Sequence, residues 1–121
     1  MFLIDSNIII YSHLPQYKHL RNLFIEESIF VSEISRVEVL GYYKLTIEEK
    51  DYFEDVFNLL PIILPSQQIF DEAISLRKGF NLKLGDSIIA ATALVHSLTI
   101  YTRNTDDFKN VSNLMCINPV V

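Results

Sequence analysis

Short apolar runs alternate with helical patterns along the chain, and this alternation restricts the possible folds more than any other feature. Runs rich in β-branched and aromatic residues predict strands at 2–4, 29–32, 62–64, 98–102 and 114–117. Helical spacing of apolar residues predicts helices that begin near residue 6 and cover 16–28, 37–43, 48–59, 66–78 (ending at Gly79) and 86–97. Strands joined through helices favour an α/β fold with a mostly parallel central sheet of four to five strands, covered on both faces.

Length and composition predict one folded domain over residues 1–121. Half of the residues are hydrophobic, which excludes a disordered chain. The single cysteine, Cys116, has no partner for an internal disulfide and points to a reducing compartment. Asp5 interrupts the apolar start, which argues against a signal peptide, and the apolar segment 87–101 is too short and too polar to span a membrane. We therefore expect a soluble cytoplasmic protein that makes no contact with a membrane.

The formal net charge of −5 argues against a simple nucleic-acid-binding protein, because neutralising phosphates requires lysine and arginine. The same charge is compatible with a nuclease, since carboxylates that hold a cation count as negative charge in the sequence. Composition therefore leaves a nuclease open and disfavours a basic binding module.

Polar residues follow several of the predicted strands, where ligands bind in open α/β sheets. They are Asp5, Ser6 and Asn7 after the first strand, Glu38 after the second, Asp86 at the start of the buried helix, and Asn104, Asp106 and Asp107 after the fourth. Carboxylate and amide oxygens arriving together at one sheet edge suit Mg²⁺ or Mn²⁺. The chain has no cluster of cysteine and histidine that would indicate zinc.

Each of these acids also has an ordinary structural interpretation. Ser35 and Glu38 have the spacing of a capping box, and so do Thr46 and Glu49, so local sequence does not rank one glutamate above the other. Asp86 taken alone is better explained as a helix N-cap. For Asp5, capping and a functional role are equally supported.

Four segments in order resemble the motifs of PIN-domain proteins, and of VapC-type toxins in particular. These are "LIDSNIIIY", "SEISRVEVLGYY", "LKLGDSIIAATAL" and "YTRNTDDF", and the resemblance extends from residue 1 to about residue 118. It implies that Asp5, Glu38, Asp86 and Asp107 bind the metal and that Asn104 is a further catalytic residue. It also implies that Ser6, Asn7 and Thr102 orient these groups.

The same resemblance implies an Mg²⁺- or Mn²⁺-dependent endoribonuclease that hydrolyses RNA phosphodiester bonds. It further implies a toxin held by a cognate antitoxin, and a homodimer. Arg103, Lys83 and Arg77 are candidate contacts to RNA phosphates, and for Arg103 a structural role is equally supported. Two alternatives stay open at this point. One is a haloacid-dehalogenase-like phosphohydrolase, which needs an aspartate where this chain has Asn7, and the other is a non-catalytic α/β binding module.

Overall fold

One five-stranded sheet forms the centre of the molecule in a computed structural model that describes all 121 residues. Its strands are β1 (Phe2–Ile4), β2 (Ile29–Ser32), β3 (Ile62–Ile63), β4 (Thr99–Tyr101) and β5 (Cys116–Ile117). They lie in the order β3-β2-β1-β4-β5, and every neighbouring pair is parallel. The α/β prediction is confirmed, and β1 is the central strand.

Six α-helices cover the two faces of the sheet. They are α1 (Ser6–Ser12), α2 (Leu20–Glu26), α3 (Glu33–Leu40), α4 (Ile47–Leu59), α5 (Gln67–Phe80) and α6 (Leu84–His96). Successive side chains of a strand point to opposite faces, so β1 serves two cores. Leu3 packs in the core formed with α5 and α6, and Ile4 packs in the core formed with α1 to α4. The result is the expected three-layer α/β/α arrangement.

The predicted helix 16–28 is shorter and broken in the structure. A 3-10 turn covers Pro15–Tyr17, and α2 begins only at Leu20. Pro15 sits at the first position of the turn, where its fixed φ angle is favourable. The three-residue spacing of Tyr17, Leu20 and Leu23 fits a 3-10 turn as well as an α-helix, which is why the apolar pattern did not reveal the break.

Two predicted helix ends are also wrong. Helix α3 ends at Leu40, before Tyr43, and Gly41 follows it, where an added Cβ would collide with the Val37 carbonyl. Helix α5 continues through Gly79 and ends at Phe80. Its C-cap is Asn81, whose φ of 54° is left-handed. Asparagine tolerates this conformation better than most residues, so it takes the position often held by glycine.

Helix α6 is buried nearly all round, as predicted, and its first turn lies where the carboxyl ends of the strands emerge. The continuous segment 87–93 is buried, and it includes two hydroxyl residues, Ser87 and Thr92. Their hydroxyls donate to the carbonyls of Leu84 and Ile88 at 2.6 and 2.7 Å, so neither is left unsatisfied. No helix of the chain combines the length and hydropathy that a membrane span requires.

Candidate active site

Asp5 lies directly after the central strand and is only 8% exposed. Its main-chain N–H donates to the Tyr101 carbonyl of β4 at 2.9 Å, which extends the sheet by one residue. Its Oδ1 accepts from the main-chain N–H of Ser6 at 2.8 Å. Its Oδ2 accepts from Thr102 Oγ1 at 2.9 Å and from Asn7 Nδ2 at 3.2 Å. Asp5 thus caps α1 with one oxygen, which confirms the capping interpretation, and its other oxygen is held by Thr102 and Asn7.

Ser6 connects Asp5 to the glutamate of α3. Its main-chain N–H is used by Asp5, and its hydroxyl donates to Glu38 Oε1 at 3.0 Å. The capping-box interpretation of Glu38 is wrong, because α3 starts at Glu33 and the Ser32 hydroxyl caps it by accepting from the Ile34 N–H at 3.2 Å. The side chain of Glu38 is therefore free to contact another element.

Asp86 is the third residue of α6, because the helix begins at Leu84 after an N-cap at Lys83. The N-cap prediction for Asp86 is therefore wrong. Burial is the main cause that raises the pKa of Asp86, and the negative charges of Asp5 and Asp107 raise it further. The Lys83 ammonium opposes this rise. Asp86 therefore lies close enough to Asp5 and Asp107 for their charges to interact, although the three acids come from different segments of the chain.

Burial also raises the pKa of Asp5, and it is the largest influence on that residue. The hydrogen bonds from Thr102 and Ser6 oppose the rise, and the charges of Glu38 and Asp107 add to it. No three histidine, cysteine or acidic side chains are grouped tightly enough to hold a metal ion as they stand. The edge of the sheet nevertheless gathers four carboxylates, none of which forms an ion pair.

A polar network fixes the loop that follows β4. Thr102 is fully buried, and its hydroxyl accepts from Asn7 Nδ2 at 3.3 Å and from the main-chain N–H of Asn104 at 3.1 Å. The main-chain N–H of Arg103 donates to Asn7 Oδ1 at 3.1 Å. Asn7 therefore ties Asp5, Thr102 and Arg103 together.

The last motif contributes its two predicted site residues from the short segment that follows β4. Asn104 is exposed and precedes a 3-10 turn at Thr105–Phe108, and its carbonyl accepts from the Asp107 N–H at 3.0 Å. Asp107 is exposed in that turn, and its charge reaches Asp5 and Asp86. The side chain of Asn104 makes no hydrogen bond within the chain, so it is free to meet a ligand.

The three basic residues expected to contact RNA have different surroundings. Arg103 is exposed, and its guanidinium lies 4.7 Å from the centroid of the Tyr11 ring. Lys83 is exposed beside α6 and acts electrostatically on Asp86. Arg77 donates from Nε to the Leu82 carbonyl at 3.2 Å, in the turn between α5 and α6. The structure thus brings Lys83 to Asp86, places the Arg103 guanidinium on Tyr11 and uses Arg77 to hold a turn.

Gly85 belongs to the site although the sequence did not single it out. A Cβ added to Gly85 would lie 3.3 Å from Glu38 Oε2, closer than an ordinary van der Waals contact. The missing side chain therefore leaves room for the Glu38 carboxylate beside the first turn of α6. The only sequence signal was a glycine directly before Asp86 and the buried helix predicted over 86–97.

Comparison with known proteins agrees with this architecture. The family model of the PIN domain matches residues 2–114. The chain is 29% identical to a chain of a toxin–antitoxin complex from Klebsiella pneumoniae, with 98% of each chain covered and a TM-score of 0.81. It is 26% identical to a chain of FitAcB from Neisseria gonorrhoeae, with 98% of each chain covered and a TM-score of 0.75.

A third similar structure is VapBC2 from Rickettsia felis bound to a DNA fragment from their promoter. The identity is 23%, 97% of each chain is covered, and the TM-score is 0.80, so this likeness concerns the fold. No curated protein sequence matches the chain. Because the family model covers almost the whole chain, including every segment that supplies an acid to the sheet edge, the chain belongs to the PIN domain family.

Proposed function

We propose that this PIN domain is a divalent-metal-dependent endoribonuclease and the toxin of a toxin–antitoxin pair. The observation that carries the proposal is the unneutralised group of acids around Asp5. Asp5 is nearly buried, both of its oxygens are held by hydrogen bonds, and its charge is opposed by neighbouring acids instead of being paired with a base. Burying carboxylates in this way is costly unless a cation joins them.

The donor set fits a hard cation. Asp5, Glu38, Asp86 and Asp107 supply only oxygen ligands, which suit Mg²⁺ or Mn²⁺ and not a soft metal. These four residues would hold the metal, and Asn104 would add an amide next to them. When bound, the metal would supply Lewis-acid activation of the scissile phosphate and of the attacking water.

The chain's own residues contribute orientation. Thr102 and the Ser6 N–H fix the plane of the Asp5 carboxylate, because each donates to a different oxygen. The Ser6 hydroxyl holds Glu38 Oε1, which leaves Oε2 facing the start of α6 at Gly85. Such supporting hydrogen bonds restrict the rotamers of ligands and so lower the cost of assembling a site.

An antitoxin partner is supported by the similar structure from Klebsiella pneumoniae, which is a toxin–antitoxin complex. We further propose a homodimer that acts in the cytoplasm. The phosphohydrolase alternative is set aside, because Asn7 stands where that class needs an acid and uses its amide to bind Asp5, Thr102 and Arg103. A non-catalytic module would give no reason to bury Asp5 among other acids.

The test is cleavage of RNA by the purified chain without its partner. We expect hydrolysis of unstructured RNA with Mg²⁺ or Mn²⁺, and loss of hydrolysis with EDTA. Asp5→Asn and Asp86→Asn should abolish cleavage while circular dichroism shows an intact fold. Inactivity of the wild-type chain on diverse RNAs with both metals, together with no metal binding by calorimetry, would overturn the proposal.

A further inference from the structure

Arg103 stands at the rim of the acid cluster on a fixed main chain. Its N–H donates to Asn7 Oδ1 at 3.1 Å, and Asn7 in turn holds Asp5. Its carbonyl accepts from Asn118 Nδ2 at 3.5 Å. The side chain of Arg103 therefore starts from a point whose position relative to Asp5 is determined by hydrogen bonds.

The guanidinium of Arg103 is placed by an aromatic ring and not by an acid. It lies 4.7 Å from the centroid of Tyr11, although Asp106 and Asp107 follow in the next turn. The ion pairs of the chain involve other residues, namely Arg36 with Glu33 and Lys50 with Glu54. The ring of Tyr11 is itself oriented by an edge-on contact with Tyr17, at 5.3 Å between centroids and 89° between planes. The planar cation of an exposed residue is thus placed against Tyr11, and its main chain is bonded to the Asn7 side chain that holds Asp5.

We propose that the stacked pair of Arg103 and Tyr11 is a subsite for one unpaired nucleobase of the RNA strand next to the scissile phosphate. The proposal rests on the proposed function and adds the position at which the protein binds one base of the substrate. A guanidinium plane stacks on the face of a base, and any base offers such a face, so the subsite would be tolerant of sequence. A base inside a duplex is covered on both faces by its neighbours, so the subsite would select single-stranded RNA.

Charge supports the same assignment. The chain has a formal net charge of −5 and gathers four of its acids at this edge, so an approaching phosphate is repelled until a cation is nearby. The Arg103 guanidinium supplies a positive charge that no carboxylate of the chain has neutralised. It would therefore attract the strand and stack on its base with the same group.

A second exposed cation–π pair provides a matched control. The Lys44 ammonium lies 5.5 Å from the centroid of Tyr43, in the connection between α3 and α4. Lys44→Ala removes one exposed positive charge from one aromatic ring, as Arg103→Ala does. Lys44 contacts neither Asp5 nor the hydrogen-bond network around Thr102.

The kinetic test compares KM and kcat for cleavage of a single-stranded RNA. Arg103→Ala should raise KM about tenfold, the order expected for one lost stacking contact, with kcat within about threefold of the wild-type value. Arg103→Lys should recover only part of the loss seen in Arg103→Ala, because lysine keeps the charge but loses the plane. Tyr11→Leu should also raise KM. Tyr11→Phe, which keeps the aromatic ring, and Lys44→Ala should both leave KM at the wild-type value. Full rescue by Arg103→Lys, or unchanged KM in Arg103→Ala, would overturn the subsite.

A spectroscopic test separates this subsite from the nuclease proposal. An RNA oligomer with 2-aminopurine at successive positions is titrated with the Asp86→Asn chain, where stacking on Arg103 should quench fluorescence at one position. The quenching should disappear in Asp86→Asn combined with Arg103→Ala, and it should be absent for the same oligomer in a duplex. Cleavage by the wild-type chain without Arg103-dependent quenching would refute the subsite alone. Arg103-dependent quenching without cleavage by any variant would refute the nuclease and retain the subsite.

Discussion

Two segments of neighbouring helices share the spacing Ser/Thr-x-x-Glu, yet their glutamates make different contacts. At the start of α4, Thr46 Oγ1 accepts from the Glu49 N–H at 3.1 Å, and Glu49 Oε1 accepts from the Thr46 N–H at 3.0 Å. In α3, Ser35 is fully buried inside the helix, and its hydroxyl has no partner. Glu38 instead accepts from the Ser6 hydroxyl of α1.

The difference follows from where each helix begins. Helix α4 starts directly after Thr46, so the threonine is the N-cap and the glutamate is three residues later. Helix α3 starts three residues before the position that the same pattern would predict, because Ser32 ends β2 and caps the helix first. Glu49 therefore bonds with the N-cap residue of its own helix. Glu38 lies too far from the N-cap of α3 to form a capping box, so it accepts a hydrogen bond from another helix.

The largest effect is expected when the two glutamates are neutralised in turn. Glu38→Gln should lower RNA cleavage by more than about a hundredfold, the upper range for groups that only orient a metal ligand, because it would remove a ligand itself. Glu49→Gln should leave cleavage within about twofold, because its carboxylate serves the N-terminus of α4. Initial rates at saturating Mg²⁺ measure both losses, and an equal loss in the two variants would contradict the different roles of Glu38 and Glu49.

A smaller loss is expected when the space beside Glu38 is filled. Gly85→Ala should move Glu38 Oε2 by a few tenths of an ångström and lower kcat roughly tenfold, less than the loss for a full ångström of misplacement. The same change should leave stability unchanged or raise it by up to about 1 kcal/mol, since alanine favours helices over glycine. Cleavage rates and denaturant-unfolding curves measured on one preparation test both expectations. Lower stability would show that Gly85 serves packing instead of the position of Glu38.

The hydroxyls of the two segments should differ in their effect on stability. Thr46→Ala should lower the free energy of unfolding by about 1 kcal/mol, because it removes the cap of α4. Ser35→Ala should cost less than Thr46→Ala or stabilise the fold, since it removes a buried hydroxyl that has no hydrogen-bond partner. Urea titrations of both variants measure the difference. A larger loss for Ser35→Ala would mean that its hydroxyl has a partner.

The smallest effect is the opposite pH dependence of the capping and site acids. Hydrogen bonds with Thr46 lower the pKa of Glu49 from 4.5, so its stabilisation is present above that pH and is lost as the pH falls through the lowered pKa. Burial raises the pKa of Asp86 from 3.8, so without metal its ionisation costs stability as the pH rises through the raised pKa. Relative to the wild-type chain, Asp86→Asn should therefore gain stability as the pH rises from 3.8 through the raised pKa, and Glu49→Gln should lose stability as the pH rises from the lowered pKa to 4.5. Melting temperatures in EDTA over a range that includes both windows measure the two trends, and trends of the same sign would contradict the assignment.

The parallel sheet and the acids after its strands could be predicted because each depends on local pattern. Apolar runs such as Phe2–Ile4 and Ile29–Ser32 are recognised by their residue types, and the residue after a strand is determined once the strand is known. Asp5 was placed correctly for this reason. The boundaries of α2, α3 and α5 were not, because capping and turn geometry depend on which donor reaches the helix end first.

Residue patterns alone specify the alternation of strands and helices, the buried α6 and the set of acids available to one sheet edge. The use of each acid depends on the tertiary structure. It assigned Glu38 to Ser6 and Glu49 to Thr46, gave both Asp5 oxygens separate donors, and placed Arg103 on Tyr11. The physical reason is that hydrogen bonds and stacking depend on distances between residues far apart in the chain. Asp5 and Thr102, for example, become neighbours only when β1 pairs with β4.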